Sequence, residues 1–194
     1  MEWVKIGKDN YLFANDSVLD FYPKFGFEKE QEYISYKYIN KELNNAAIQK
    51  PSYKKLDMNN RNDRDFLYKK IMSSSVNSKL AMINGADLAM FYCISFMKEN
   101  IFYFEDIDTV VIAKADGEEL FIHEVYCDGE VCLDNIIQRL MEKNINKVMI
   151  GFTPKYTSSY ESELYHEDDT TLFVLGGSNI FRENKIKFEP LSHA

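Results

Sequence analysis

The stretch Asn15-Asp-Ser-Val-Leu-Asp-Phe-Tyr-Pro-Lys-Phe-Gly-Phe27 limits what this chain can fold into more than any other. Tyr11, Leu12 and Phe13 precede it as a strand-like run, and Asn15, Asp16 and Ser17 carry oxygens that accept the free N–H groups of a helix start. A short helix is therefore predicted from about Asp16. Val18, Leu19 and Tyr22 fall on one helix face, and Pro23 forbids a long continuation because it lacks an N–H and clashes one turn back. Gly26 closes the element. Glu28 to Ile39 reads as the next strand, with Tyr33, Ser35, Lys37 and Ile39 on one face and Glu32, Ile34, Tyr36 and Tyr38 on the other.

This order of strand, capped helix, Gly-Phe and strand resembles the closing segment of the GNAT (N-acetyltransferase) superfamily. Its members commonly carry an Asn, a Tyr seven residues on, and Gly-Phe four and five residues after the Tyr; Asn15, Tyr22, Gly26 and Phe27 stand at those spacings. The resemblance implies that Tyr22 is a general acid that protonates the departing thiolate of coenzyme A. It also implies that Asn15 lies beside the cofactor, that the cofactor is acetyl-CoA, and that the acceptor is a small-molecule or peptide amine. A phenol held close to a leaving thiolate can hand over its proton as the intermediate collapses. An aromatic on the inner face of a short helix is also ordinary core, so packing stands beside catalysis as a role for Tyr22.

A chain of 194 residues, 45% hydrophobic and 14% aromatic, has the material for a folded core. A net charge of -8 with acidic residues spread along the chain disfavours nucleic acid and anionic membranes as partners and favours a cationic substrate. Cys93, Cys127 and Cys132 form an odd set without the density of a disulfide framework. No apolar run approaches the roughly 20 residues that cross a bilayer, and Met1 to Asn10 lacks the shape of a signal peptide. A cytoplasmic location is expected.

The order of parts is unusual for the family. Its closing segment stands here almost at Met1, so residues 1–40 read as a partial GNAT-like C-terminal segment whose front is absent. Residues 41–52 are polar and end in Pro51, as a linker does. Residues 53–194 read as a second GNAT-like domain. It begins with a short strand at Tyr53 to Met58, a helix capped by Asp63 that runs to about Met72, and two helical pieces within Lys79 to Met97 broken at Asn84-Gly85. Strands at Ile101 to Glu105, Thr109 to Ala113 and Leu120 to Tyr126 follow, the last two joined at the Asp116-Gly117 turn. A helix from Val131 to Asn144 and a strand at Lys147 to Phe152 complete the pattern, and Thr170 to Leu175 is a further strand. The expected fold is α/β (α+β): a mixed, largely antiparallel GNAT-like sheet flanked by helices, in a truncated or degenerate tandem-domain member of the family.

Where the family places a Gly-rich phosphate loop before a helix, this chain has Tyr126-Cys-Asp-Gly-Glu-Val-Cys132. Small residues and free backbone N–H groups hold phosphate at such a place. One glycine, no Lys or Arg, and the carboxylates Asp128 and Glu130 predict repulsion instead. Two readings follow: a GNAT-like N-acetyltransferase using acetyl-CoA, or a non-catalytic scaffold acting as a binding or assembly module. Residues 1–40 are expected to dock beside the strand at 147–152 or on a second copy of the chain as a homo-oligomer, because an isolated strand pair exposes edges and apolar surface. His123, Cys127 and Cys132 have a loose resemblance to a zinc set without the usual spacing, and His166-Glu-Asp-Asp169 reads as a solvated acidic turn.

Overall fold

The computed structural model describes residues 10–39, 53–176 and 180–192. Among the described residues ten strands form two sheets. The larger holds β3 (Glu32–Tyr38), β4 (Lys54–Lys55), β5 (Ile101–Phe104), β6 (Thr109–Asp116), β7 (Glu119–Tyr126), β8 (Lys147–Ile150) and β9 (Glu161–Tyr165). Their spatial order is β4-β5-β6-β7-β8-β3-β9. The smaller places β10 (Thr171–Leu175) between β1 (Asn10–Ala14) and β2 (Glu28–Lys29). Among the described residues four α-helices accompany them: α1 (Arg61–Ser73), α2 (Ala86–Ser95), α3 (Leu133–Leu140) and α4 (Ile180–Asn184). The architecture is mixed α/β with a largely antiparallel sheet, as the sequence predicts. No helix of the described residues is long and apolar enough to cross a membrane.

Alternation along β6 assigns the two faces of the large sheet. Val111 and Ala113 pack with Ile136 and Ile137 of α3, whereas Val110 and Ile112 pack with Leu67 of α1 and Ala89, Met90 and Cys93 of α2. Of the large sheet's neighbours only β7 and β8 run parallel, and a parallel pair needs a crossover, which α3 supplies across one face. Arg139 on α3 holds Asp106 through two bonds of 2.9 and 2.6 Å, fixing the helix to the turn between β5 and β6.

The strand predicted over 28–39 is interrupted at Glu30-Gln31. Its first part joins the small sheet beside Phe173 and Val174, and its second lies between β8 and β9 of the large one. Ser35 faces Ile150 and Tyr38 faces Lys147, so the N-terminal segment adds to the strand at 147–150 within this chain. β9, the strand after the 151–160 connection, pairs with β3 along its length. Asn15 to Gly26 forms two single 3-10 turns, 16–18 and 22–25, in place of one short helix; Gly26 closes the second at φ 86°. α1 is capped by Asn60, while Asp63 turns inward and binds Lys54 and the Asp57 N–H. Of the two helical pieces expected within 79–97 only α2 forms; residues 79–83 instead follow a bridge at Ser78. The predicted linker 41–52 lies outside the described residues.

Candidate functional site

β7 pairs with β8 only from Glu119 to Ile122, and the ladder ends where the Gly151 N–H reaches Ile122 O at 2.7 Å. Beyond that point the strands part. A side chain at Gly151 would press on the His123 backbone at 3.1 Å and on the Phe121 ring at 2.9 Å, so only glycine allows this approach. Opposite, on β6, the register slips between Ile112 and Ala113. Glu124 faces Ile112 and Ile122 faces Ala113, leaving His123 as the extra residue of a β-bulge. Ile122 and Val125 both belong to the α3 side, and the two residues between them, His123 and Glu124, both turn to the side of α1 and α2.

Glu124 enters a cavity of about 310 Å³ bounded by the end of α1, the start of α2 and the end of β7. It is 6% exposed. Its Oε1 accepts from the Val125 N–H at 3.0 Å, and its Oε2 has no hydrogen-bond partner. Glu189 lines the same cavity and accepts from Ser78 Oγ at 3.1 Å and from the Met82 backbone N–H. Burial, and then the Glu189 charge, hold the Glu124 carboxyl well above the ordinary range; burial likewise raises Glu189. The pair therefore titrates as a unit and keeps a proton to higher pH than a free carboxyl. Among the described residues lining the cavity there is no Lys, Arg or His. Neither glutamate stands out by motif. The signal in the sequence was Glu124 itself, a carboxylate in the alternation Leu120, Ile122, Glu124, Tyr126 where an apolar residue fits a buried strand.

His123 faces a second cavity of about 400 Å³ with Tyr92, Phe96, Tyr165 and Pro190 around it. Neither ring nitrogen has a partner. Burial, and then Lys114, lower its pKa to about 4, so the imidazole is neutral at neutral pH. Leu191 lines both cavities, which places the C-terminal segment between them.

The opening between β7 and β8 is spanned by the chain itself. The Ser75 N–H donates to Cys127 O at 2.9 Å, and the Cys127 and Gly129 N–H groups are taken by the Ser74 and Ser75 hydroxyls at 2.9 Å each. On the other side, the Lys79 N–H reaches Thr153 O at 2.8 Å and the Lys155 N–H reaches Asn77 O at 3.4 Å. Residues 74–79 thus form a strap from the 127–132 loop to the continuation of β8. That loop does not fit the phosphates of acetyl-CoA. Two of its donors are committed to serines, and a small hollow beside it, at the start of α3, is lined by Glu130, Asp134 and one cation, Lys155. The two carboxylates outnumber that cation and oppose a polyanion there.

The residues singled out by the motif stand elsewhere. Tyr22 packs against Phe173 of β10 at 5.4 Å and against Phe27 at 6.0 Å between ring centroids. Asn15 caps the first 3-10 turn by accepting from the Ser17 N–H at 2.9 Å, and its amide donates to Asp169. Asp169, in the acidic turn at 166–169, also accepts from the Asp16 N–H at 3.2 Å and so joins β1 to β10. Neither Tyr22 nor Asn15 lines the two cavities around His123 and Glu124. Cys127 lies buried against Asn77 while Cys132 is exposed, so His123, Cys127 and Cys132 do not gather.

No protein-family model and no curated protein matches the sequence. Among solved structures, the chain is similar to a GCN5-related N-acetyltransferase from Kribbella flavida (11% identity, TM-score 0.48), over 84% of this chain and 42% of that one. It is similar to Eis1 from Mycobacterium abscessus (10% identity, TM-score 0.39), over 84% and 46%. A third is a conserved protein of unknown function and probable N-acyltransferase from Enterococcus faecalis V583 (10% identity, TM-score 0.43), over 89% and 46%. The chain spans less than half the length of each of these three proteins.

Proposed function

We propose that this protein is an N-acetyltransferase-type protein that takes an amine into the cavity between α1, α2 and β7. The observation that carries the reading is Glu124 Oε2, a buried carboxylate oxygen with no partner, in a cavity without a basic side chain. An ammonium supplies the donors this oxygen lacks and, by its charge, favours release of the carboxyl's own proton to solvent; the carboxylate so formed, of raised proton affinity, can then take a proton from the amine before it attacks. Glu124 is the base in this reading, and Glu189 keeps the pair's charge in check. The GNAT resemblance adds a finer claim: the acetyl group comes from acetyl-CoA, with Tyr22 as proton donor to the thiolate and Asn15 beside the cofactor. That claim is supported by the spacing from Asn15 to Phe27 alone.

The runner-up reading is that the same scaffold binds the amine without transferring anything to it. One experiment separates the two. The purified protein is incubated with labelled acetyl-CoA and a panel of amines, and its thermal midpoint is followed with and without millimolar acetyl-CoA. Labelled amide product, together with a raised midpoint, supports the transferase; a ligand at about a hundredfold over its Kd stabilises by about 2.7 kcal/mol. No product and no shift leaves the binding module.

A further inference from the structure

We infer that the ligand of the Glu124 cavity is an amphipathic monoammonium compound, one cationic nitrogen on a short apolar chain. The inference rests on the amine-binding reading above and narrows it. Two features of the cavity decide the class.

The first is its floor. Glu124 and Glu189 are the only charged-type side chains among the described residues that line it, and only Glu124 offers an oxygen without a partner. Beside Asn84 and Tyr126, the remaining polar lining is Ser74, Ser75, Asn77 and Ser78, and these four already bond to the chain. Ser74 Oγ accepts from the Cys127 N–H and Ser75 Oγ from the Gly129 N–H. Ser78 Oγ lies within hydrogen-bond distance of Leu80 O and Glu189, and Asn77 Nδ2 donates to Ser75 O. A ligand with many hydroxyls or amides would find few partners for them, and a buried polar group left unpaired is costly. A single ammonium meets Glu124 Oε2, the buried lining oxygen left without a partner.

The second is the rim. Met72, Val76 and Ile83 line the cavity and are 59%, 51% and 86% exposed. Met82 folds against Gly85 at the start of α2, its methyl carbon 1.9 Å from where a Cβ at Gly85 would stand, so it would have to swing aside for any larger residue there. Two flexible thioethers and two branched aliphatics make an adaptable apolar mouth. A polyamine would place its second ammonium among them without a carboxylate to meet it, which the rim disfavours. An alkyl chain buries apolar surface at the same place. At about 310 Å³ the cavity is at the small end of the roughly 300–1,000 Å³ usual for ligand sites, which suits a chain of a few carbons.

The test is calorimetric titration of the full chain, without any thioester present, with hexylammonium chloride, spermidine and hexanol. Hexylammonium is expected to bind at least about tenfold more tightly than either of the others, a difference of about 1.4 kcal/mol. Glu124→Gln should remove that preference over hexanol. Ile83→Glu, at an exposed position that leaves the core intact, should improve spermidine binding relative to hexylammonium by several fold. Equal binding of hexanol, tighter binding of spermidine by the unaltered protein, or no change of preference in Ile83→Glu would each overturn the inference. Because no acetyl donor is used, the titration reads binding alone: hexylammonium binding here, with no amide product in the separate labelled acetyl-CoA assay, defeats the transferase reading and leaves this one standing. Acetylation of spermidine in preference to hexylamine does the reverse.

Discussion

The Lys187 ammonium lies 3.0 Å from Glu32 Oε1, with the two residues 0% and 6% exposed. The same oxygen accepts from the Phe188 N–H at 3.0 Å, while Lys187 Nζ donates to Phe188 O at 3.1 Å and sits 4.7 Å from the centre of the Tyr165 ring. Glu32 begins β3 and Lys187 precedes the segment that reaches between the two cavities. The pair therefore ties the N-terminal segment to the residues that position Glu189.

Removing one partner of a buried pair strands the other's charge, at a cost of about 3–5 kcal/mol, whereas replacing both by apolar residues is often neutral. Lys187→Met is expected to lower the urea midpoint strongly, and Lys187→Met combined with Glu32→Leu to recover most of the loss. A single variant as stable as the parent would show that the pair is solvated.

Glu124 gives stability a pH dependence of known sign. Its folded pKa is raised, so the folded state holds a proton that the unfolded chain releases near the ordinary value of about 4.3. Stability is full below that value and declines as pH rises toward and through the raised folded value. Glu124→Gln is expected to be relatively more stable than the parent at pH 8 than at pH 4, by urea unfolding at both. An identical pH dependence in parent and variant would place the retained proton elsewhere.

His123 acts in the opposite direction. Unfolded, it takes up a proton near about 6.5; folded, it resists until about 4. Stability is therefore lost as pH falls through that window, with a slope of at most about 1.4 kcal/mol per pH unit. Imidazole resonances in an NMR titration should show one histidine still neutral at pH 5. His123→Phe should flatten this part of the stability profile.

Tyr22 and Asn15 can be separated by what each loses. Asn15→Ala removes the cap on the Ser17 N–H and the bond to Asp169, and should cost about 1 kcal/mol. Tyr22→Phe keeps the ring against Phe173 and should change stability by less than about 0.5 kcal/mol. If Tyr22 donates a proton in acetyl transfer, the product rate falls in Tyr22→Phe with the thermal midpoint unchanged. An unchanged rate in an active protein would leave Tyr22 a packing residue.

Much of the scaffold was legible along the chain. Period-two alternation marks β6 and β7, the Asp116-Gly117 turn joins them, and the Ile136 and Ile137 stripe marks α3. The acidity of the 127–132 loop was equally plain. Some local readings failed where tertiary contacts outweighed propensity: residues 79–83 are drawn out of helix by the bridge between Ser78 and Pro154, and Glu30-Gln31 breaks one strand into two because its halves serve different sheets.

Local pattern settled the identity of most strands and helices, the absence of a phosphate-binding composition before α3, and the Asn15 to Phe27 spacing, because these depend on neighbours a few residues apart. Tertiary structure alone decided that β3 lies between β8 and β9, that residues 74–79 strap the opening beside β7, and that Glu124 and Glu189 share one cavity 65 positions apart in sequence. The reason is that side-chain periodicity tells which face a residue takes within its own strand. It does not tell which distant strand will satisfy that strand's edge, and a one-residue bulge at His123 turns a side chain to a face that alternation would not assign.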